Sequence, residues 1–343
     1  MAIKLEEAGC LGVEGGPPFT GEWTASFLNL ANLMNVCGML TESASVRLAS
    51  PIFVHRHQLV GNRGRVGDRV QMSFPHPWSG GWWRLGDIVK QQKVSNLAVL
   101  ELAAKAKEVF LRNMYVKASR NIERGLKEAP YAFIVPLDVQ HDPLTAMKMI
   151  EMFIKLDVEV HRAKSPFTIG NKAYPAGTFV ILAAQPKRSF VKYVLEKTDY
   201  PDNEWTRSRD GTPLRPYDVT SYTIPDYMGV SVDRIEEKFE GDFELISEMN
   251  YPTCKVEKSS YGYMINCRYN DTYSVVNGLL TSGFEVYRVM EELSINGNTF
   301  PIGSFYVPDA DGVEEKLKEL CTAHHVNPFS LSSELSASKI AVK

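Results

Sequence analysis

The sequence has few of the signals that mark a self-contained catalyst. Zinc wants three protein ligands and an open water position, and a His-x-x-Glu spacing sets two of them on one short loop. None of the seven histidines (His55, His57, His76, His141, His161, His324 and His325) has Glu or Asp three residues later. There is no G-x-S-x-G elbow for a serine nucleophile. The five cysteines, Cys10, Cys37, Cys254, Cys267 and Cys321, are odd in number and never in a C-x-x-C spacing. That speaks against a disulfide framework or a cysteine metal site, and all five are expected to be reduced and mostly buried. The longest apolar runs, such as Thr178 to Ala184, are strand-sized, far from the ~20 residues of a membrane span. Met1 is followed by Ala-Ile-Lys-Leu-Glu-Glu, without the apolar core of a secretory signal, so the compartment defaults to the cytoplasm. A net charge of -3 supplies no basic field for nucleic acid or an acidic membrane.

What is present is an ordinary globular composition, 44% hydrophobic and 23% charged over 343 residues, a length that suggests two domains. The first, 1–128, is glycine-punctuated. Ile3 to Glu7 reads as the end of a helix, Gly9 to Val13 and Val36 to Glu42 as short buried strands, and Phe27 to Met34 as a helix started by Thr24 or Ser26. A loop-rich stretch, Gly61 to Gly86, carries three tryptophans. One long helical segment then runs from Val94 to about Ala118, with Leu97, Leu100, Ala104, Leu111, Met114 and Ala118 on one face. The charged segment ending in Ala129-Pro130 marks the boundary.

The second domain, 129–343, opens on a βαβ pattern. Tyr131 to Leu137 is a continuous apolar strand, and Asp142-Pro143 caps a helix over Leu144 to Leu156. Val158 to His161 is a strand, Tyr174-Pro-Ala-Gly177 leads into a strand over Thr178 to Ala184, and Ser189 to Lys197 is a helix. The pattern returns as strand Tyr261 to Cys267, helix Asp271 to Leu280, strand Glu285 to Val289, strand Ser304 to Val307 and helix Val313 to His324. Tyr174-Pro-Ala-Gly-Thr-Phe beside Phe300-Pro-Ile-Gly-Ser-Phe suggests an internal repeat of 131–197 by 261–324. Crossovers of this kind predict a doubly wound parallel sheet. Between the copies, Asp218 is placed to cap a short helix.

Few residues offer chemistry. His55 and His57 would share one face of a strand, as metal ligands or as plain surface residues. Gly61-Asn-Arg-Gly-Arg-Val-Gly-Asp-Arg69 reads as a phosphate cradle or a solvated basic loop. Trp78, Trp82 and Trp83 either stack on a ligand or pin a loop to the core. A cysteine nucleophile would stand at a strand-to-helix turn, but the turn after Ala184 reads Gln185-Pro186. Glu42 ends an apolar run, at the strand end where α/β sheets place their sites, and could serve as general base on a water.

Two phrases carry a resemblance: Val36-Cys-Gly-Met-Leu-Thr-Glu-Ser-Ala-Ser45 and Pro75-His-Pro-Trp-Ser-Gly-Gly-Trp-Trp-Arg-Leu-Gly-Asp-Ile-Val89. They are similar to the last part of the catalytic domain of carboxypeptidase A-like zinc metallopeptidases. Tyr174-Pro-Ala-Gly-Thr-Phe, Ala184-Gln-Pro186 and Arg215-Pro-Tyr-Asp-Val-Thr220 resemble the domain that follows it in large microbial members, which looks like a class I glutamine amidotransferase. The resemblance implies α/β architecture: a mixed-sheet peptidase remnant, then an internally duplicated flavodoxin-like domain. It implies that Glu42 is the general base, that zinc is the cofactor and that peptides are the substrate. The family's zinc ligands lie upstream of that glutamate; here 41 residues precede Glu42 and none is histidine. The chain is therefore expected to bind no catalytic zinc alone and to need a separate peptidase chain, to self-associate, or to serve as a non-enzymatic binding or scaffold module. Val36 to Leu40 is expected to leave an open apolar edge.

Overall fold

The structure, a computed structural model, describes residues 1–15, 27–59, 67–197, 199, 201–214 and 223–342. Thr24, Ser26, most of the 61–69 loop and the 215–220 phrase with Asp218 lie outside the described residues. The fold is mixed α/β with antiparallel sheets. It divides into two compact units, Met1–Ser119 with Tyr200–Thr220, and Arg120–Asp199 with Ser221–Lys343.

The first unit holds α1 (Ala2–Glu7), α2 (Phe27–Leu33), β1 (Ile52–Val54), β2 (Gly81–Trp83), α3 (Leu85–Lys105) and most of α4 (Lys107–Lys127). α1 and α2 agree with the helices read from sequence. The strands expected over Gly9–Val13 and Val36–Glu42 do not form. Gly9 and Gly12 take φ of +69° and +81°, which bends the first segment, and Gly12 N–H donates to His76 O at 2.8 Å. Val36, Met39 and Leu40 are exposed, so apolar character there does not signal a buried strand. The long helix starts earlier and ends later than its expected span, and it breaks at Ala106 (φ -110°, ψ 20°). Its apolar stripe is not its packed face: Leu97, Leu100, Leu111 and Met114 are exposed. The buried positions of α3 are Ser95 and Ala98, on the side where Glu101 meets Lys4 of α1 at 3.8 Å. Of the cysteines only Cys10 and Cys321 are buried, and Cys37 is exposed.

The second unit continues with β3 (Ala132–Val135), α5 (Pro143–Lys155), β4 (Val160–Ala163), β5 (Phe167–Ile169), β6 (Lys172–Tyr174), β7 (Phe179–Leu182), α6 (Arg188–Leu195), α7 (Ile224–Met228), β8 (Asp233–Ile235) and β9 (Phe243–Ile246). It closes with β10 (Tyr263–Ile265), α8 (Asn270–Thr281), β11 (Tyr287–Val289), β12 (Leu293–Ile295), β13 (Asn298–Phe300), β14 (Phe305–Val307), α9 (Val313–His324), β15 (Phe329–Ser330) and β16 (Lys339–Ala341). Two five-stranded sheets result, ordered β8-β3-β7-β4-β9 and β15-β10-β14-β11-β16. Their pairings correspond in register: Phe133 faces Ile181 as Tyr263 faces Val307, and Arg162 faces Phe179 as Arg288 faces Phe305.

The expected parallel sheet gives way here. Every pairing in both sheets is antiparallel. β3 and β4 do run in the same direction across α5, but the chain turns back after the β5–β6 hairpin, and β7 inserts between them. The misreading has a physical source. β3 and β7 are buried along nearly their whole length, and the continuous apolar run this requires looks like a parallel strand. One face of the first sheet is covered by the β5–β6 hairpin, where Phe167 and Tyr174 pack with Ile134 and Val180. Phe153 of α5 meets Phe190 of α6 edge-on. The second sheet is covered in the same manner, with Phe300 of the β12–β13 hairpin against Met264 and Val289. The aromatic-Pro-x-Gly turn explains its own sequence. Gly177 and Gly303 sit at φ +87° and +89°, which favours glycine, and their N–H groups donate to Ala163 O and Val289 O.

Candidate functional site

Glu42 stands exposed in a loop, not at a strand end. The segment just after it is held in place. Gln92 Nε2 donates to Ser43 Oγ at 2.9 Å, Trp83 Nε1 donates to Ala44 O at 2.8 Å, and Val46 is buried. The two phrases that resemble a peptidase are thus joined by the Trp83–Ala44 hydrogen bond, although nearly forty residues separate the two in sequence. The tryptophans pin this region: Trp78 lies 5.7 Å from Trp83, and Trp82 meets Phe53 edge-on at 5.4 Å.

His55 and His57 are not on a strand. His55 caps a short 3-10 turn, Arg56–Gln58, and its ring stacks on His57 with centroids 5.4 Å apart. Among the described residues, no group of three or more His, Cys, Asp and Glu side chains is arranged to hold a metal. At the turn where a nucleophile elbow would stand, Gln185 is fully buried. Its Oε1 accepts Glu159 N–H at 2.9 Å, and its Nε2 donates to Glu159 O and Leu182 O, so the side chain is engaged in holding backbone.

A polar cluster joins the two halves of the second unit. Asp142, the cap read from sequence, is buried and accepts Leu144 N–H and Thr145 N–H. It also accepts Asn270 N–H from the other half at 2.9 Å, while Asn270 Nδ2 donates to Thr145 Oγ1 at 3.0 Å. Lys148 Nζ donates to both oxygens of buried Asp271, at 2.6 and 2.7 Å. Tyr251 donates to Glu151 Oε2 at 3.0 Å, and its ring stacks on His325 with centroids 4.3 Å apart. Burial, then the Glu151 carboxylate, raises the Tyr251 hydroxyl above its usual range, so it stays a donor. Lys155 and then Tyr251 hold Glu151 below the ordinary carboxylate range.

Beside this cluster lies a cavity of about 370 Å³. Pro143 and Leu144 line it from the first half; Asn266, Tyr269, Asn298 and Thr299 line it from the second, with His325 and Asn327 beyond α9. None of its lining residues is Asp, Glu, Lys or Arg. Sequence reading missed this site, because its residues are scattered and no motif groups them; the only local signal was Asp142-Pro143, a cap at its edge. Compared with known protein families, curated proteins and solved structures, the chain matches none.

Proposed function

We propose that this chain is the closing part of a carboxypeptidase A-like zinc metallopeptidase, acting on peptides together with a zinc-bearing segment that it does not itself contain, and with Glu42 as the general base. The observation that supports this most is the joining of the two resembling phrases through Trp83 and Ala44, with Glu42 exposed beside the anchor. Exposed Val36, Met39 and Leu40 leave an apolar strip for a partner surface. Among the described residues no three His, Cys, Asp or Glu side chains gather as a metal site, and on this reading the partner segment supplies the zinc ligands. The test is metal analysis and release of C-terminal residues from a blocked dipeptide. It is run on the purified chain, then on the chain co-expressed with the polypeptide of the adjoining reading frame. We expect no stoichiometric zinc and no hydrolysis alone, and both together. A chain that by itself holds stoichiometric zinc and cleaves the dipeptide overturns the reading.

A second reading is favoured by the cavity: a non-enzymatic binding module in which the second unit holds a ligand without transforming it. That unit we read as an internal duplication of 131–197 by 261–324, supported by the shared strand order and register. An experimental structure in which the two segments fail to superpose strand for strand removes it. The amidotransferase resemblance rests on sequence phrases, and the antiparallel sheets do not add to it.

A further inference from the structure

We infer that the cavity between the two halves of the second unit binds a neutral polyhydroxylated ligand, a sugar ring with free hydroxyls. The inference rests on the binding-module reading and gives that site its ligand class.

Charge decides first. With no Asp, Glu, Lys or Arg in the lining, and His325 as its one imidazole, a phosphate, carboxylate or ammonium group would lose hydration without gaining a permanent counter-charge. The ends of a free peptide are disfavoured for the same reason. Apart from His325, the polar side chains that remain are amides and hydroxyls; Asn266 is engaged through both ends of its amide, and the others keep groups free among the described residues. The Tyr269 hydroxyl and Thr299 Oγ1 make no hydrogen bond to a described residue. Asn327 accepts Lys255 N–H through Oδ1 at 2.8 Å, which leaves its amide NH₂ available. Asn298 donates to Asn296 O and keeps its Oδ1. A hydroxyl both donates and accepts, so a ring with adjacent hydroxyls can satisfy amide and hydroxyl groups of both kinds together.

Shape and rigidity agree. Sugar rings also carry C–H faces that pack on aromatic surface. The cavity offers Phe300 and Phe329, with centroids 5.7 Å apart, and His325, braced by its stack on Tyr251. Its size lies near the lower end of the ~300–1,000 Å³ typical of small-ligand sites.

The test uses the full chain and saturation-transfer NMR. The probes are methyl hexosides, N-acetylglucosamine and maltose, with N-acetyl-dialanine amide and inorganic phosphate as comparisons. At least one sugar should bind with a Kd on the order of 1 mM. That binding should weaken about tenfold in Tyr269→Phe and in Asn327→Ala, the effect of losing one well-made hydrogen bond. Tyr269→Phe removes an oxygen bonded to no described residue, so its melting curve should match the parent and separate lost binding from lost folding. If no sugar binds but the blocked dipeptide does, and the variants weaken it, the ligand class is wrong and the binding reading stands. If phosphate alone binds at these residues, the charge argument is wrong. If no probe binds, or binding ignores both variants, the inference and the binding reading fall together, while the peptidase reading is judged by hydrolysis.

Discussion

Gly125→Ala should destabilise the second unit by about 3 kcal/mol, because an added Cβ overpacks a site closed by backbone. The sign is the point of interest, since Gly to Ala inside a helix ordinarily gains ~1 kcal/mol. Gly125 is buried in the last turns of α4, and a Cβ there would lie 2.3 Å from Ala183 O and 2.4 Å from Ala184 Cα. Both atoms are backbone at the end of β7, so no side chain can swing away. One turn earlier, Asn121 Nδ2 donates to Pro186 O at 2.9 Å and Asn121 Oδ1 accepts from Ser189 Oγ at 2.9 Å. The helix is thus held against the strand by groups on the same face and cannot slide to make room. Gly86→Ala is the control, because Gly86 lies in the first turn of α3 with nothing within 4 Å of the added carbon. It should be neutral or stabilising. Hydrogen exchange read against urea measures both, at the β3 and β7 amides for Gly125→Ala and at the α3 amides for Gly86→Ala. Equal protection in Gly125→Ala and parent would show that the close approach does not exist.

On the proposed peptidase reading, with a zinc-bearing partner segment supplied, Glu42→Gln should lower peptide hydrolysis by about 10²–10⁴-fold, the usual contribution of a general base. Glutamine keeps the shape and loses the ability to take up a proton. The side chain is exposed and bonds no described residue, so the melting curve and the zinc content of the complex should not change. Ser43 and Ala44 anchor the backbone beside it whichever residue is present. Release of the C-terminal residue, followed at saturating substrate, is the readout. A loss smaller than about tenfold, against that expectation for a base, would remove Glu42 from the role. Loss of zinc alongside activity would instead make it a structural residue of the completed site.

Legibility in the sequence followed the range of the interactions involved. Local signals carried the helices of the second unit. Asp142-Pro143 reads as a cap, and Asp142 does accept the first N–H groups of α5. The pattern of Val313 to His324 predicts a helix with the bounds that α9 has. Both glycine turns follow from φ near +90°, which the sequence announces as aromatic-Pro-x-Gly. The sequence misled where an apolar residue has two uses. Val36 to Leu40 forms no strand, although its apolar residues are open as expected, and the Leu97–Met114 stripe looks like buried surface yet is exposed. Hydrophobicity records that a surface prefers cover, and it does not say what provides the cover.

By itself, then, the sequence determined the approximate places of the main helices and central strands of the second unit, that the same order of elements occurs twice in it, and that no histidine has the ligand spacing of a carboxypeptidase. These depend on neighbours a few residues apart, whose backbone geometry and side-chain chemistry are set before the chain folds. Only the tertiary structure decided that β7 enters between β3 and β4, because strand direction depends on where a hairpin returns the chain and not on composition. Only it brought Ala44 to Trp83, Gly125 to Ala183, and Leu144 with Tyr269 and Asn327 around one cavity. Those contacts join residues from about forty to well over a hundred positions apart, and their specificity lies in packing and hydrogen-bond direction, which no short stretch of sequence encodes.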